Sequence, residues 1–230
     1  MSIKTENKRR LEEFALEQGI ALFGVADITG LRDTFHIHPP ESVALLDRGI
    51  SMAARLSDAV LETLADKPNL LYKHHYREVN ELLDAVALRL AARIEEWGYR
   101  ALPVAASQII DWRKQIAHLS HKRVAVQAGL GWLGRSNLLI TPEHGARVRL
   151  VTVLTNMPLQ TDEPMKEDCG ACRACLPICP AGAIKMHRKD FDHQACYQQI
   201  RHFAQKENIG YDICGLCQKA CVKKPAGGER

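Results

Sequence analysis

The chain has 230 residues, 46% hydrophobic and 25% charged, enough to bury one substantial core and carry a small appended module. A net charge of +4, with basic and acidic residues interspersed, gives no basis for a nucleic-acid-binding surface. The opening MSIKTENKRR lacks an apolar leader and no later stretch approaches a membrane span, so the expectation is a cytoplasmic protein with no membrane partner.

In chain order, Leu11, Phe14 and Ala15 recur at helical spacing within residues 5–18 and Gly19 supplies a stop, which predicts an amphipathic helix. Residues 20–28, IALFGVADI, read as a buried strand. Residues 31–40 carry His36, His38 and two prolines and read as a loop; without a third donor these histidines read as surface residues rather than a metal site. A second strand is expected within 43–50, although Asp47, Arg48 and Gly49 interrupt its pattern. Ser57 is a good N-cap for a helix reaching Ala65. Tyr72, His74, His75 and Tyr76 then cluster just ahead of the longest helix, where Val79, Leu83, Val86, Leu90 and Ile94 keep the period and Gly98 ends it. The cluster fits either a capping and packing group or a proton donor.

Pro103 within residues 99–106 predicts a strand at an edge or bulge. His118 and His121 sit near the start of a helix over 120–128, closed by Gly129. The run GLGWLGRSN at 129–137 matches G-x-G-x-x-G, but its glycines follow a helix and lead into an apolar run, the reverse of the dinucleotide motif. It reads either as a helix stop with Trp132 in the core or as a bare loop able to approach a flat ligand, with Trp132 covering it. Residues 138–140 and 146–155 flank TPEHG and predict a β-hairpin, with Arg147 and Arg149 on a solvated or ligand-facing side. Residues 156–168 read as a linker, and a short helix is expected within 200–209. The basic pairs and triplets, Lys8 to Arg10 and Lys223–Lys224, read as solvated termini.

All eight cysteines lie between 169 and 221. Cys169, Cys172, Cys175 and Cys179 read C-x2-C-x2-C-x3-C followed by Pro180, the bacterial run that delivers three thiolates to one [4Fe-4S] cube and a fourth to its neighbour. Cys214, Cys217 and Cys221 repeat the C-x2-C-x3-C rhythm, with Cys196 upstream. Crossed ligation of the two-cluster kind assigns Cys169, Cys172, Cys175 and Cys221 to one cube, and Cys179, Cys196, Cys214 and Cys217 to the other. Zinc is disfavoured because a structural zinc site has no use for a third cysteine three residues on, and disulfides because nothing places the chain in an oxidising compartment.

These residues carry a resemblance. HKRVAVQAGLGWLGR from His121 to Arg135, then Asn137 to Ile140, the Cys169 to Pro180 motif and DICGLCQ around Cys214 and Cys217 resemble epoxyqueuosine reductases and, more distantly, reductive dehalogenases, over roughly residues 115–221. The resemblance implies an α+β chain: a nitroreductase-like cobalamin-binding domain over residues 1–160, then a bacterial two-[4Fe-4S] ferredoxin-like domain over 161–230. It implies two [4Fe-4S] clusters and cobalamin, with Gly129, Leu130, Gly131, Trp132, Gly134, Arg135 and Asn137 lining the corrinoid. Arg135 replaces the lysine usual in that family. The position of the aspartate thought to donate a proton there is held here by Gln115, and an amide cannot deliver a proton as a carboxylic acid does. Tyr76, His75 and His118 become the candidate catalytic donors.

The expected function is thus an iron-sulfur reductase, fed by an external ferredoxin or flavodoxin, acting through a corrinoid on a small-molecule substrate, with tRNA disfavoured. A non-catalytic electron carrier or corrinoid activator, and a flavin-dependent reductase on the same scaffold, are the alternatives.

Overall fold

The computed structural model describes residues 1–222, so Lys223–Lys224 and the tail after them lie outside the described residues. Helices and strands are mixed, and the described chain divides into two units, each discontinuous in sequence. The first comprises Met1–Ala54, Val79–Leu130 and Arg149–Met165; the second comprises Arg55–Glu78, Gly131–Val148 and the chain from Lys166 onward. The cysteine-bearing unit thus draws in two segments that precede residue 160.

The first unit is built on a four-stranded sheet. Helix α1 (Ile3–Glu17) is capped by the Ser2 hydroxyl, which accepts from the Thr5 amide, and it buries Leu11 and Ala15. Strand β1 (Leu22–Asp27) pairs antiparallel with β2 (Arg48–Arg55), setting Val25 opposite Ile50. The expected second strand therefore begins at Arg48 and runs on to Arg55. Arg48 faces Asp27 across the pair, and Gly49 is required because a Cβ there would stand 2.7 Å from Ile28 and 2.9 Å from Val124.

Helix α2 (Asp58–Glu62) follows with Ser57 as its N-cap, and α3 (Leu70–Glu96) then supplies Leu83, Val86, Leu90 and Ile94 to the core of the first unit. Tyr72 to Tyr76 lie inside α3 rather than ahead of it. The Asn69 side chain accepts from the Tyr72 amide at 2.8 Å and starts the helix a turn earlier than apolar periodicity suggests. Strand β3 (Ala101–Val104) sits at a sheet edge, as Pro103 requires, in the order β1-β2-β6-β3 with β6 (Val148–Thr155). Helix α4 (His121–Gln127) packs on β1 so closely that a Cβ on Gly24 would meet the Ala128 carbonyl oxygen at 2.3 Å.

The expected hairpin across TPEHG does not form. Strand β5 (Leu139–Ile140) pairs with β4 (Trp132–Leu133), whereas β6 pairs with β3, and Thr141 and Gly145 close their turn on themselves. In the second unit, α5 (His193–Lys206) is longer than the short helix expected; Asp192 caps it by accepting from the Ala195 amide. The short α6 (Leu216–Ala220) packs on α2. No helix among the described residues is long and apolar enough to cross a membrane.

Candidate metal centre

The run from Cys169 to Cys179 is folded as successive turns. The amides of Cys172, Leu176 and Cys179 donate to the carbonyls of Cys169, Arg173 and Leu176, and Asp168 accepts from the Gly170 amide at 2.6 Å. Each turn re-presents a sulfur after two or three residues, the geometry that the cysteine spacing demands. Cys196 lies on α5, Cys217 on α6, and Cys214 and Cys221 flank α6. Gly215, at φ +82, begins α6 in a left-handed conformation, and a Cβ there would stand 2.6 Å from the Tyr72 ring.

The thiols influence one another in two sets. Burial pushes the Cys221 thiol up to about 11, and the thiols acting on it in the same direction are Cys169, Cys175 and Cys172. Burial also pushes Cys214 up to about 11, reinforced by Cys196 and Cys179. Cys217 is raised by burial and then by Cys214, Cys196, Cys175 and Cys179, so its neighbourhood touches both sets. All eight cysteines are free thiols. Among the described residues no three His, Cys, Asp or Glu gather tightly enough to hold one metal ion.

A buried polar network fixes α6. The Tyr72 hydroxyl donates to Gln218 Oε1 at 2.8 Å, and Gln218 Nε2 donates to the carbonyls of Ala146 at 3.1 Å and Val148 at 3.3 Å. Gln218 is buried between Cys217 and Cys221, and every polar atom of its amide is engaged. Arg147 adds a second brace, donating to Asp58 Oδ1 at 2.7 Å and to the Lys219 carbonyl. Its guanidinium holds the Asp58 carboxyl below the usual range. Periodicity carries no signal for these contacts; the single hint is a glutamine placed between two cysteines.

The expected corrinoid-lining residues have other neighbours. Cβ atoms on Gly129, Gly131 and Gly134 would strike the chain itself: the Glu163 carbonyl at 2.7 Å, the Ile140 carbonyl at 2.0 Å and the Ile140 side chain at 2.5 Å. Gly129 and Gly131 therefore make room for backbone, and Gly134 for the Ile140 side chain. Leu130 and Trp132 are buried, and Asn137 sits at φ +57, its amide donating to the Gly134 carbonyl. Among the described residues the Trp132 indole N–H is buried with no hydrogen-bond partner. Arg135 reaches the cysteine loop instead: its guanidinium donates to the carbonyls of Met186, Cys172 and Gly170 at 2.7, 2.9 and 2.8 Å.

The candidate proton donors do not converge. His75 Nε2 accepts from the Ser57 amide at 2.9 Å, and burial lowers its pKa below the usual histidine value, so the neutral ring serves the α2 cap. Tyr76 is buried and packs edge-to-face on Tyr72 and Tyr211, with centroids 6.3 and 5.8 Å away. His74 is exposed beside Glu78. His118 belongs to the first unit, where its Nδ1 meets the His36 carbonyl at 3.2 Å. Gln115, at φ +55, closes the turn bridged between Asp111 and Ile116 and donates its amide to the Trp112 carbonyl. His121 bonds the Ala105 carbonyl through Nε2 at 2.9 Å, so Nε2 carries the proton and Nδ1 accepts from Thr152 at 2.8 Å. Burial lowers its pKa to about 4, which makes it a neutral structural bridge.

No family model matches the chain. It is 30% identical over 245 residues to an epoxyqueuosine reductase from Synechococcus sp. (strain RCC307), covering 92% of this chain and 73% of that protein. It is 46% identical over 117 residues to the epoxyqueuosine reductase of Listeria monocytogenes, covering 45% and 29%. The chain spans 30% of the length of the Bacillus anthracis relative and 47% of the Bacillus subtilis one. Among solved structures it is similar to a catabolic reductive dehalogenase in complex with 3-bromo-4-hydroxybenzoic acid, with TM-score 0.77 and 18% identity over 96% of this chain and 32% of that one. It is also similar to the epoxyqueuosine reductase from Streptococcus thermophilus, with TM-score 0.64 and 21% identity over 93% and 65%. At those identities the structural likeness is one of fold. The Synechococcus match spans most of both proteins, and the chain belongs to the epoxyqueuosine reductase family.

Proposed function

We propose that the chain is a reductase that holds two [4Fe-4S] clusters on its eight cysteines and passes their electrons to a bound corrinoid. The observation that carries this reading is the sorting of the thiols: Cys221 feels Cys169, Cys172 and Cys175, whereas Cys214 feels Cys179 and Cys196. That sorting supports a crossed pairing of two cubes, in which each set of three takes its fourth ligand from the other run. The donor set is all thiolate, soft and free of disulfides, as iron-sulfur clusters require.

The corrinoid is supported by the family, by the fold likeness to a reductive dehalogenase, and by the unpartnered indole N–H of Trp132. A buried donor without an acceptor suits a ligand oxygen, and Trp132 and Asn137 are the residues we assign to it. Cobalamin, when bound, supplies low-potential electron chemistry at cobalt. Residues 1–160 are assigned to corrinoid binding and 161–230 to the clusters. An external ferredoxin or flavodoxin is the assigned donor, and a small molecule rather than tRNA the assigned substrate. Gln115, where the resemblance expects an acid, spends its amide on the Trp112 carbonyl.

A second reading, an electron carrier that activates another protein's corrinoid, draws on the engagement of His75 and Tyr76 in capping and packing. Anaerobic iron and sulfide analysis tests the first claim: about eight of each per chain is expected, and about four defeats the two-cube reading. Added cobalamin should shift the visible spectrum and quench fluorescence that Trp132→Phe removes; a flavin spectrum in purified protein would replace corrinoid by flavin. Turnover of reducible substrates by loaded protein separates enzyme from carrier.

A further inference from the structure

We infer that Arg135 is a positioning residue for the thiolate loop of one cluster, the one served by Cys169, Cys172 and Cys175, and that it helps set that cluster's reduction potential. The inference rests on the two-cluster reading above and goes beyond it. One planar guanidinium forks to three backbone carbonyls, those of Gly170 and Cys172 inside the loop and that of Met186 beyond it. Such charge-assisted bonds are about twice as strong as neutral ones, and Arg135 makes three at once.

The fork has a consequence for the other side of the loop. In a trans peptide the carbonyl and the following amide point in opposite directions. With the Gly170 and Cys172 carbonyls turned to Arg135, the amides of Ala171 and Arg173 face away from it, and among the described residues neither has a hydrogen-bond partner. The amides of Gly170 and Cys172 are already taken, by Asp168 and by the Cys169 carbonyl. The loop is left with two N–H groups, both on exposed residues, turned away from Arg135 and able to donate to an anionic cluster. Hydrogen bonds and net charge are the levers by which a protein sets cluster potential, so a fixed cation behind the loop and amides in front of it both favour the more negative, reduced cluster.

The lysine usual at this position in the resembling family keeps a charge but lacks the fork: its ammonium is a point donor and cannot span three carbonyls in one plane. This gives the test two arms. Arg135→Gln and Arg135→Lys are made in the full chain, reconstituted anaerobically and compared with the unmodified protein by potentiometric titration followed by electron paramagnetic resonance, and by the rate of bleaching under an iron chelator. Arg135→Gln should lower the potential of one cluster only, the one whose signal Cys172→Ser alters, and speed bleaching by about tenfold or more. Arg135→Lys should recover potential without recovering resistance to the chelator. If both variants match the unmodified protein in both potentials and in bleaching rate, Arg135 is an ordinary surface arginine and the inference falls. If the unmodified protein holds fewer than two cubes, the two-cluster reading fails instead, a result that iron and sulfide content reports separately.

Discussion

The Tyr72 hydroxyl and the Gln218 side chain, 146 positions apart in the chain, meet at 2.8 Å in a buried hydrogen bond. The donor stands on the first turn of α3 and the acceptor on α6, between Cys217 and Cys221 in sequence, so the bond ties a long helix to a five-residue one. Tyr72 is thereby a structural residue. Tyr72→Phe leaves Gln218 Oε1 buried and unsatisfied, an expected cost of about 1–3 kcal/mol. The measurement is urea unfolding of anaerobic, cluster-loaded protein, with turnover assayed alongside. Reduced stability with turnover retained is expected; abolished turnover at unchanged stability would restore Tyr72 as a proton donor.

His121 makes the first unit sensitive to acid. Its ring is neutral in the fold, with a pKa near 4, against about 6.5 in an unfolded chain. Between those values the unfolded state binds more protons, so the contribution of His121 to stability is complete above about pH 6.5 and is lost as pH falls toward 4. The ceiling is about 3 kcal/mol for a shift of that size, and less here because part of the residue reaches the surface. His75, lowered by burial and by His74, acts in the same direction. Hydrogen exchange of β6 amides at pH 7 and pH 5 should show a steeper loss of protection in the unmodified chain than in His121→Gln. Equal slopes would mean that the His121 bridge is not titrating.

Gly24 and Gly30 offer a paired test of packing. A methyl group on Gly24 would lie 2.3 Å from the Ala128 carbonyl oxygen and 3.0 Å from Leu130, both fixed by the end of α4, whereas nothing stands within 4 Å of one on Gly30. Gly24→Ala should destabilise the protein by about 1–3 kcal/mol, as overpacking does, and Gly30→Ala should be close to neutral. Thermal melts of the two variants against the unmodified chain decide it, and equal melting temperatures would mean that β1 and α4 are not in contact.

What the sequence made legible follows from the range of the forces involved. Helices α1 and α4, the apolar face of α3 and the Ser57 cap rest on neighbours three or four residues away, and the amino-acid pattern announces them. The edge position of β3 was legible too, because Pro103 removes a donor whatever lies around it. The hairpin failed for the opposite reason. Leu139 and Ile140 take β4 as their partner, and nothing in TPEHG records that preference. The metal-site proposal rests on the cysteine rhythm, because ligand spacing is local chemistry. Gln218, Arg147 and Arg135 were invisible as braces, since each acts on carbonyls at least thirty-five positions away. The histidine and tyrosine cluster misled because proximity in sequence inside a helix sends side chains to different faces: His74 to solvent, His75 to Ser57, Tyr72 to Gln218.

The crossing of the two cysteine sets gives the sharpest test, and Gly145 allows it to be made without touching a cysteine. Gly145 holds φ +58, and a Cβ there would lie 2.4 Å from the Cys221 carbonyl oxygen and 3.0 Å from its carbon, so Gly145→Ala must displace the Cys221 backbone. The thiols that act on Cys221 are Cys169, Cys175 and Cys172, although Cys214 and Cys217 precede it in the same motif. Under crossed ligation Gly145→Ala and Cys221→Ser both damage the cluster of the first run, and Cys179→Ser damages that of the second. Each variant should lower iron from about eight toward about four per chain, and the surviving electron paramagnetic resonance signals should differ between Cys221→Ser and Cys179→Ser. Gly145→Ala and Cys221→Ser should both reproduce the Cys172→Ser spectrum. If they instead reproduce that of Cys214→Ser, Cys221 belongs with Cys214 and Cys217 and each cube is ligated by its own contiguous run.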